Sequence, residues 1–226
     1  MVDELVTAHG LHVRDLDGIA YGEGPGSFTG LRIGCGVVQG LAFGASLPVV
    51  GVGTMLAMAE GTGAQQVVCC IDARVHEIYH ACYARVGASE RTGETEGFPR
   101  NPHPLVASNG TEESPRFPSV TSHPLDWSGW EVVHEPRVCA PADAPQLTGD
   151  DWYACGSGFA AYREALAARY AGQLAAIDPE CYPHAADIAR LAAPLFAAGM
   201  TRKADEATPV YLRDKVALRT DERANR

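Results

Sequence analysis

The chain has 226 residues, 46% apolar and 20% charged, a composition typical of a soluble globular protein of one domain or two small lobes. Its net charge of −10 argues against a protein that binds nucleic acid by itself, because such proteins usually carry a basic face. No apolar run reaches the ~18 residues of a membrane helix and no signal segment opens the chain, so we expect a cytoplasmic protein.

The first part of the sequence alternates between helical and strand patterns. Apolar residues at helical spacing before Gly10 predict that the chain begins inside an amphipathic helix. A long helix is then predicted between two short apolar strands, and a short helix follows the second strand. The predicted bounds are Leu16–Tyr21 for the first strand, Ser27–Ala45 for the long helix, Pro48–Val52 for the second strand and Thr54–Glu60 for the short helix.

The second part begins with the apolar run Val67–Ile71 and is interrupted by an irregular segment, 87–146, rich in Pro, Gly, Ser and Thr. The pattern then resumes with a strand at Trp152–Cys155 and helices at Phe159–Tyr170 and His184–Ala198. Alternating strands and helices predict an α/β fold with two lobes, 1–64 and 65–226, the second containing the irregular insertion. Residues 202–226, where acidic residues are interleaved with basic ones, are expected to form a solvated tail, with a minor RNA contact as the alternative.

A glycine-rich turn separates the first predicted strand from the long helix. Gly22, Gly24 and Gly26 would let backbone N–H groups approach a phosphate at a helix N-terminus. No lysine follows, as a P-loop requires, and Glu23 would repel a phosphate. We therefore favour a tight strand-to-helix turn with Ser27 as the N-cap.

The long helix is rich in glycine and almost without polar side chains. Each interior glycine costs about 0.5–1 kcal/mol relative to alanine, so close packing must hold the helix. Its long polar side chains are Arg32 and Gln39, which share one face. A helix that is apolar nearly all round is buried nearly all round, which indicates its own sheet on one side and a partner on another; a fully internal helix is the alternative. The glycines are Gly30, Gly34, Gly36, Gly40 and Gly44.

Residues 76–80 read His-Glu-Ile-Tyr-His, which fits the zinc-protease pattern. On a helix, His76 and His80 would share a face and could bind one zinc, with Glu77 as general base and Glu96 as a distant third ligand. The alternative is a hairpin in which residues 77–84 return along Val67–Ile71. On a strand the two histidines would lie about 13 Å apart, too far to share a metal, and we favour this interpretation.

Several motifs of the chain resemble the TsaB family, also called YeaZ. The first motif is long and specific, and the last motif gives additional support for the likeness. They are Gly-Pro-Gly-Ser-Phe-Thr-Gly-Leu-Arg-Ile-Gly at 24–34 with its continuation through Gly44 and Pro48–Val52, Ile-Asp-Ala-Arg at 71–74 followed by Glu-Ile-Tyr at 77–79, and Pro-Val-Tyr-Leu-Arg at 209–213 with Val216 and Ala217. The likeness covers about 14–83 and 151–217 and leaves the middle segment uncovered.

This resemblance implies an actin/Hsp70/sugar-kinase (ASKHA) fold of two lobes. It further implies a non-catalytic subunit that binds the catalytic subunit TsaD through first-lobe helices, joins the ATPase TsaE, and serves the transfer of threonylcarbamoyl to adenosine in tRNA. ATP would be bound by the partners, and tRNA would be contacted indirectly. The residues carried over are Leu31, Gly34, Val37, Val38 and Leu41 for the interface, and Gly24, Gly26, Ser27, Gly30 and Arg32 for the turn and helix.

The chain departs from the family at two points and leaves two alternatives open. The opening hairpin of the first lobe is missing ahead of Met1, so we expect the natural protein to be longer, and 87–146 has no counterpart in the family. Thr54 and Met58 stand where TsaD has two metal-binding histidines. The alternatives are a zinc metallopeptidase using residues 76–80 and an ATP-dependent kinase. A homodimer in the absence of partner is a further expectation.

Overall fold

A computed structural model of the chain describes residues 2–87 and 129–213. Within these residues the helices are α1 (Val2–Ala8), α2 (Phe28–Ala45), α3 (Thr54–Thr62), α4 (Gly158–Ala161), α5 (Arg163–Arg169) and α6 (Ala185–Ala197). The strands are β1 (Ile19–Gly24), β2 (Val49–Gly53), β3 (Gln66–Arg74), β4 (Glu77–Arg85), β5 (Trp130–Cys139), β6 (Trp152–Cys155) and β7 (Leu174–Asp178). None of the helices described here combines the length and the hydropathy that a membrane crossing requires.

The first sheet pairs β1 with β2 in parallel, and α2 connects the two strands. Successive residues of a strand point to opposite faces, and β1 uses both. Tyr21 packs in the cluster that contains the buried side of α2. Ala20 packs in the cluster that contains α6. The first sheet is therefore covered by α2 on one face and by α6 on the other.

The second sheet has the strand order β5-β4-β3-β6-β7. β3, β4 and β5 are antiparallel neighbours, and β6 and β7 run parallel to β3. The hairpin of β3 and β4, in which Ile71 pairs with Tyr79, confirms the hairpin interpretation of the sequence. The predicted α/β class is also confirmed.

Helix α3 lies between the two sheets. Every residue from Thr54 to Ala59 is buried. One continuous apolar cluster joins this helix to β2, to β3, β4, β5 and β6 of the second sheet, and to α6. Because the cluster spans both sheets, the two layers share one core around α3.

The end of the described chain returns to the first sheet. Residues 200–213, here named the C-terminal strap, follow α6 and pass along β2, β1 and α2. Arg202 pairs with Val49 through two backbone hydrogen bonds of 2.9 Å, and the Val210 amide donates to the Glu23 carbonyl at 2.7 Å. The expectation of a solvated tail from residue 202 is therefore wrong for the strap, while 214–226 lie outside the described residues.

Two further elements differ from the sequence-based expectations. Residues 130–139, assigned to the irregular segment, form strand β5, although 88–128 lie outside the described residues. The helix expected over Phe159–Tyr170 is divided into α4 and α5 at Tyr162, and the short strand β7 was not predicted.

Candidate partner-binding helix and adjoining cleft

The turn before α2 is built for a close backbone crossing. Gly24 has φ +115°, and a Cβ there would lie 2.8 Å from the Val210 carbonyl oxygen of the strap. Ser27 caps the helix by accepting a hydrogen bond of 3.3 Å from the Gly30 amide. The structure thus confirms the N-cap interpretation of the turn.

The glutamate of this turn faces inward. Glu23 is buried, and its carboxylate lies 3.4 Å from the Arg202 guanidinium. Burial raises the pKa of Glu23, and the charge of Arg202 acts in the opposite direction. A Cβ at Gly51 of the neighbouring strand would collide with this carboxylate, so glycine at position 51 makes room for the ion pair.

One side of α2 packs on the chain's own first sheet. Cys35, Val38 and Ala42 are buried in a cluster with Tyr21 and Val49. Beside them the Gln39 side-chain amide donates to the Ala207 carbonyl of the strap at 2.8 Å. The strap and the first sheet together hold this side of the helix.

The opposite side of α2 is apolar and exposed. Ile33, Val37 and Phe43 are 63%, 50% and 80% exposed. A Cβ added at each of the four neighbouring glycines would meet nothing within 4 Å, so this side is flat and open. Helix α2 therefore packs on its own sheet on one side, as expected, and presents on another side an apolar face that no described residue covers. The alternative of a fully internal helix is wrong. The open glycines are Gly34, Gly36, Gly40 and Gly44.

The predicted interface residues lie on more than one side of α2. Val37 and Gly34 are exposed, and Leu31 and Leu41 are half-buried. Val38 is only 8% exposed and faces the chain's own core, so it is not available to a partner. Sequence reasoning missed Ile33 and Phe43, although helical spacing relative to Val37 could have pointed to Ile33, four residues earlier.

An exposed stack of side chains lies where α2 begins. The Arg32 guanidinium lies 3.8 Å from the Phe28 ring centre, and its Nε donates to the Tyr211 hydroxyl at 2.8 Å. The rings of Phe28 and Tyr211 are 5.6 Å apart and inclined by 39°. The sequence singled out Arg32 as part of a motif, but it gave no sign of the partner that the strap supplies.

Phe28 and Tyr211 border a cleft of about 440 Å³ between α2, the strap and the β3–β4 turn. Asp72 and Arg74 of that turn line the cleft and form an ion pair at 3.2 Å. Arg213 lines it too and pairs with Glu77. The cleft thus combines aromatic rings with two ion-paired arginines, and Arg32 lies beside it against Phe28.

The zinc-protease pattern does not form a metal site. His76 lies in the β3–β4 turn with φ +59°, whereas His80 lies inside β4, fully buried. His80 Nε2 is 3.0 Å from the Tyr170 hydroxyl, and burial lowers its pKa to about 3. No group of three or more His, Cys, Asp or Glu side chains within 2–87 and 129–213 is arranged to hold a metal. The helical interpretation of residues 76–80 is therefore wrong, and Glu96 lies outside the described residues.

Comparison with known proteins places the chain among tRNA-modification proteins. The family model described as "TsaD: tRNA N6-adenosine threonylcarbamoyltransferase" matches residues 1–220. The tRNA threonylcarbamoyladenosine biosynthesis protein TsaB of Escherichia coli is 34% identical over 96% of this chain and 79% of its own length. The protein of the same name from Haemophilus influenzae is 32% identical over 96% of this chain and 78% of its own.

A solved structure supports the same placement. A Pseudomonas aeruginosa protein described as YeaZ superposes with a TM-score of 0.69 at 30% identity, covering 94% of this chain and 81% of that one. A protein described as the transferase itself, from Geobacter, matches only 23% of this chain. With the α/β architecture described above, these likenesses establish an ASKHA-type fold, and the chain belongs to the TsaB (YeaZ) family.

Proposed function

We propose that the chain is the non-catalytic subunit of a complex that forms threonylcarbamoyladenosine in tRNA, and that it binds a TsaD-like transferase through the exposed face of α2. Membership of the family supports a role in tRNA threonylcarbamoyladenosine formation, because its members are described as threonylcarbamoyladenosine biosynthesis proteins. The single observation that supports the contact is the apolar, glycine-lined face of α2.

The α2 face has the features of a helix-to-helix interface. Gly36, Gly40 and Gly44 are spaced four residues apart and so lie on one side of the helix, where a second backbone can approach closely. Ile33 and Phe43 lie toward the two ends of this glycine ridge and would supply the apolar area that leaves water on binding. These glycines destabilise the isolated helix. The close helix contact that they allow would offset this cost in the complex.

The non-catalytic part of the proposal is supported by what stands at the start of α3. Thr54 and Met58, the positions that correspond to metal-binding histidines of TsaD, are buried and offer a hydroxyl and a thioether. Neither is a good ligand for a hard catalytic metal. The TsaD-like and TsaE-like partners would then carry out catalysis and bind ATP. The complex would act in the cytoplasm. The same α2 face would carry a homodimer when no partner is present.

A reconstituted reaction tests this function. Unmodified tRNA is incubated with threonylcarbamoyl-adenylate, the TsaD-like and TsaE-like subunits of the same genome, and this chain, and the modified nucleoside is measured by mass spectrometry of digested tRNA. We expect the modified nucleoside only when this chain and the TsaD-like subunit are both present. Val37→Asp should strongly reduce the amount of modified nucleoside. Product formed by this chain alone, or product that does not depend on it, would overturn the proposal.

A further inference from the structure

We propose that Phe28, Arg32 and Tyr211 form a platform that stacks one unpaired nucleotide of an RNA at the mouth of the cleft between α2, the strap and the β3–β4 turn. The inference rests on the proposed function, which brings this chain to tRNA, and goes beyond it by assigning a direct contact where an indirect one was expected. We name these three residues the stacking platform.

The geometry of the platform suits a flat ring. Arg32 lies 3.8 Å from the centre of Phe28 and 5.7 Å from that of Tyr211, and its hydrogen bond to the Tyr211 hydroxyl fixes the strap against the helix. Both aromatic rings remain about half exposed and both border the cleft. An exposed aromatic ring held by an arginine is the element on which single-stranded nucleic acids stack their bases.

The charges around the cleft suit one phosphate. Arg74 and Arg213 are paired with Asp72 and Glu77, whereas Arg32 has no carboxylate at ion-pair distance among the described residues. Counted with Arg32 of the platform beside the cleft, the two ion pairs give three arginines against two carboxylates, a local charge of +1 on a chain whose net charge is −10. One unbalanced cation matches one phosphate, not the several phosphates of a long backbone contact.

The size and position of the cleft point to an unpaired nucleotide. Its volume of about 440 Å³ is within the usual range of small-ligand pockets. A base in a duplex is covered by its neighbours and cannot reach such a platform, whereas a loop nucleotide can be splayed out. The platform adjoins the partner face: along the helix axis Phe28 lies about 12 Å from Gly36, where the glycine ridge begins.

Fluorescence anisotropy with a labelled RNA hairpin that carries an anticodon-type loop tests the platform, with a duplex of equal length for comparison. We expect the hairpin to bind more tightly than the duplex. Phe28→Ala should weaken hairpin binding about 5- to 100-fold, and Phe28→Trp should preserve it, because a larger ring still stacks. Arg32→Gln should lower the slope of log affinity against log salt by about 0.7, the value for one phosphate of a single strand.

Matched controls separate the platform from general effects. Ile177→Ala removes an exposed apolar side chain from β7, and Arg163→Gln removes an exposed charge from α5; neither should change hairpin binding. Equal affinity for hairpin and duplex, or unchanged binding by Phe28→Ala, would overturn the proposal. Competition by free AMP as effective as by the hairpin would overturn it as well, since the cleft would then be a mononucleotide site.

Thermal unfolding of each variant shows whether a loss of binding reflects a loss of fold. Titration of Phe28→Ala with the TsaD-like subunit separates this inference from the proposed function. Normal partner binding with lost RNA binding supports the platform. Normal RNA binding by a wild-type chain that does not bind the TsaD-like subunit would support the platform and contradict the proposed function.

Discussion

Val37 and Val38 are consecutive residues of α2, turned about 100° from each other around the helix axis: Val37 is 50% exposed, and Val38 is 8% exposed and packs in the core of the first sheet. Substitutions at these two positions therefore distinguish effects on folding from effects on partner binding. We expect Val37→Asp to change the free energy of unfolding by less than about 0.5 kcal/mol, because it replaces an exposed side chain. Val38→Asp should cost several kcal/mol, because it buries an unpaired charge. Urea unfolding followed by circular dichroism measures both, and equal destabilisation of the two variants would contradict this orientation of α2.

Gly40 lies in the exposed glycine ridge, with nothing within 4 Å of a Cβ placed there. We expect Gly40→Ala to stabilise the free chain by about 0.5–1 kcal/mol, because alanine has the higher helix propensity. The same methyl group would hold a partner helix away, so affinity for the TsaD-like subunit should fall. Urea unfolding and calorimetric titration give the two quantities. A variant that is more stable and binds equally well would show that the ridge is not approached closely.

Arg202 is the partner of buried Glu23, and its removal should leave a buried carboxylate without a counter-charge. We expect Arg202→Ala to destabilise the fold by about 3–5 kcal/mol at pH 7.5. Because burial already raises the pKa of Glu23, and Arg202 opposes that rise, the folded variant would take up a proton more readily. A carboxyl pKa raised in the folded state stabilises at low pH and loses that effect as pH rises, so the destabilisation should be smaller at pH 5.

The control for this experiment is Arg202→Lys, which keeps the charge and should restore part of the lost stability. Unfolding by urea at the two pH values supplies the measurement. A loss of stability that is the same at pH 5 and pH 7.5 would show that the charge of Glu23 is not its cause.

His80 should make the protein sensitive to acid. Burial lowers its pKa from 6.5 to about 3, and the charges of His134, Arg137 and Arg169 act in the same direction. Between pH 3 and pH 6.5, therefore, His80 binds a proton in the unfolded chain but not in the folded chain. The free energy of unfolding should be at its full value above pH 6.5. Below that pH it should fall by about 1.4 kcal/mol per pH unit, a loss of about 2 kcal/mol at pH 5.

His80→Gln removes this titration, so its stability should depend less steeply on pH over the same range. Urea unfolding at pH 7.5, 6 and 5 compares the two proteins. Parallel pH profiles for the wild type and His80→Gln would contradict the assignment of acid sensitivity to this side chain.

The sequence predicted most helices and the central strands, because their apolar spacing is a local property. It placed α2, with Ser27 as N-cap, within one residue of its observed start. It could not predict which side of α2 faces the sheet, because Val37 and Val38 are equally apolar and only tertiary packing distinguishes them. The strap was missed for the same reason: Tyr211 reaches Arg32 across 179 positions of sequence, and charge alternation there resembled a solvated segment.

Binding of the TsaD-like subunit to the exposed face of α2 can be measured by calorimetric titration of the two purified proteins. Ile177, on β7, matches Val37 in exposure, so Ile177→Asp is the control for Val37→Asp. We expect measurable binding by the wild type and by Ile177→Asp, and a loss of at least about tenfold in affinity, or 1.4 kcal/mol, for Val37→Asp. Wild-type affinity retained by a folded Val37→Asp variant would contradict binding through this face.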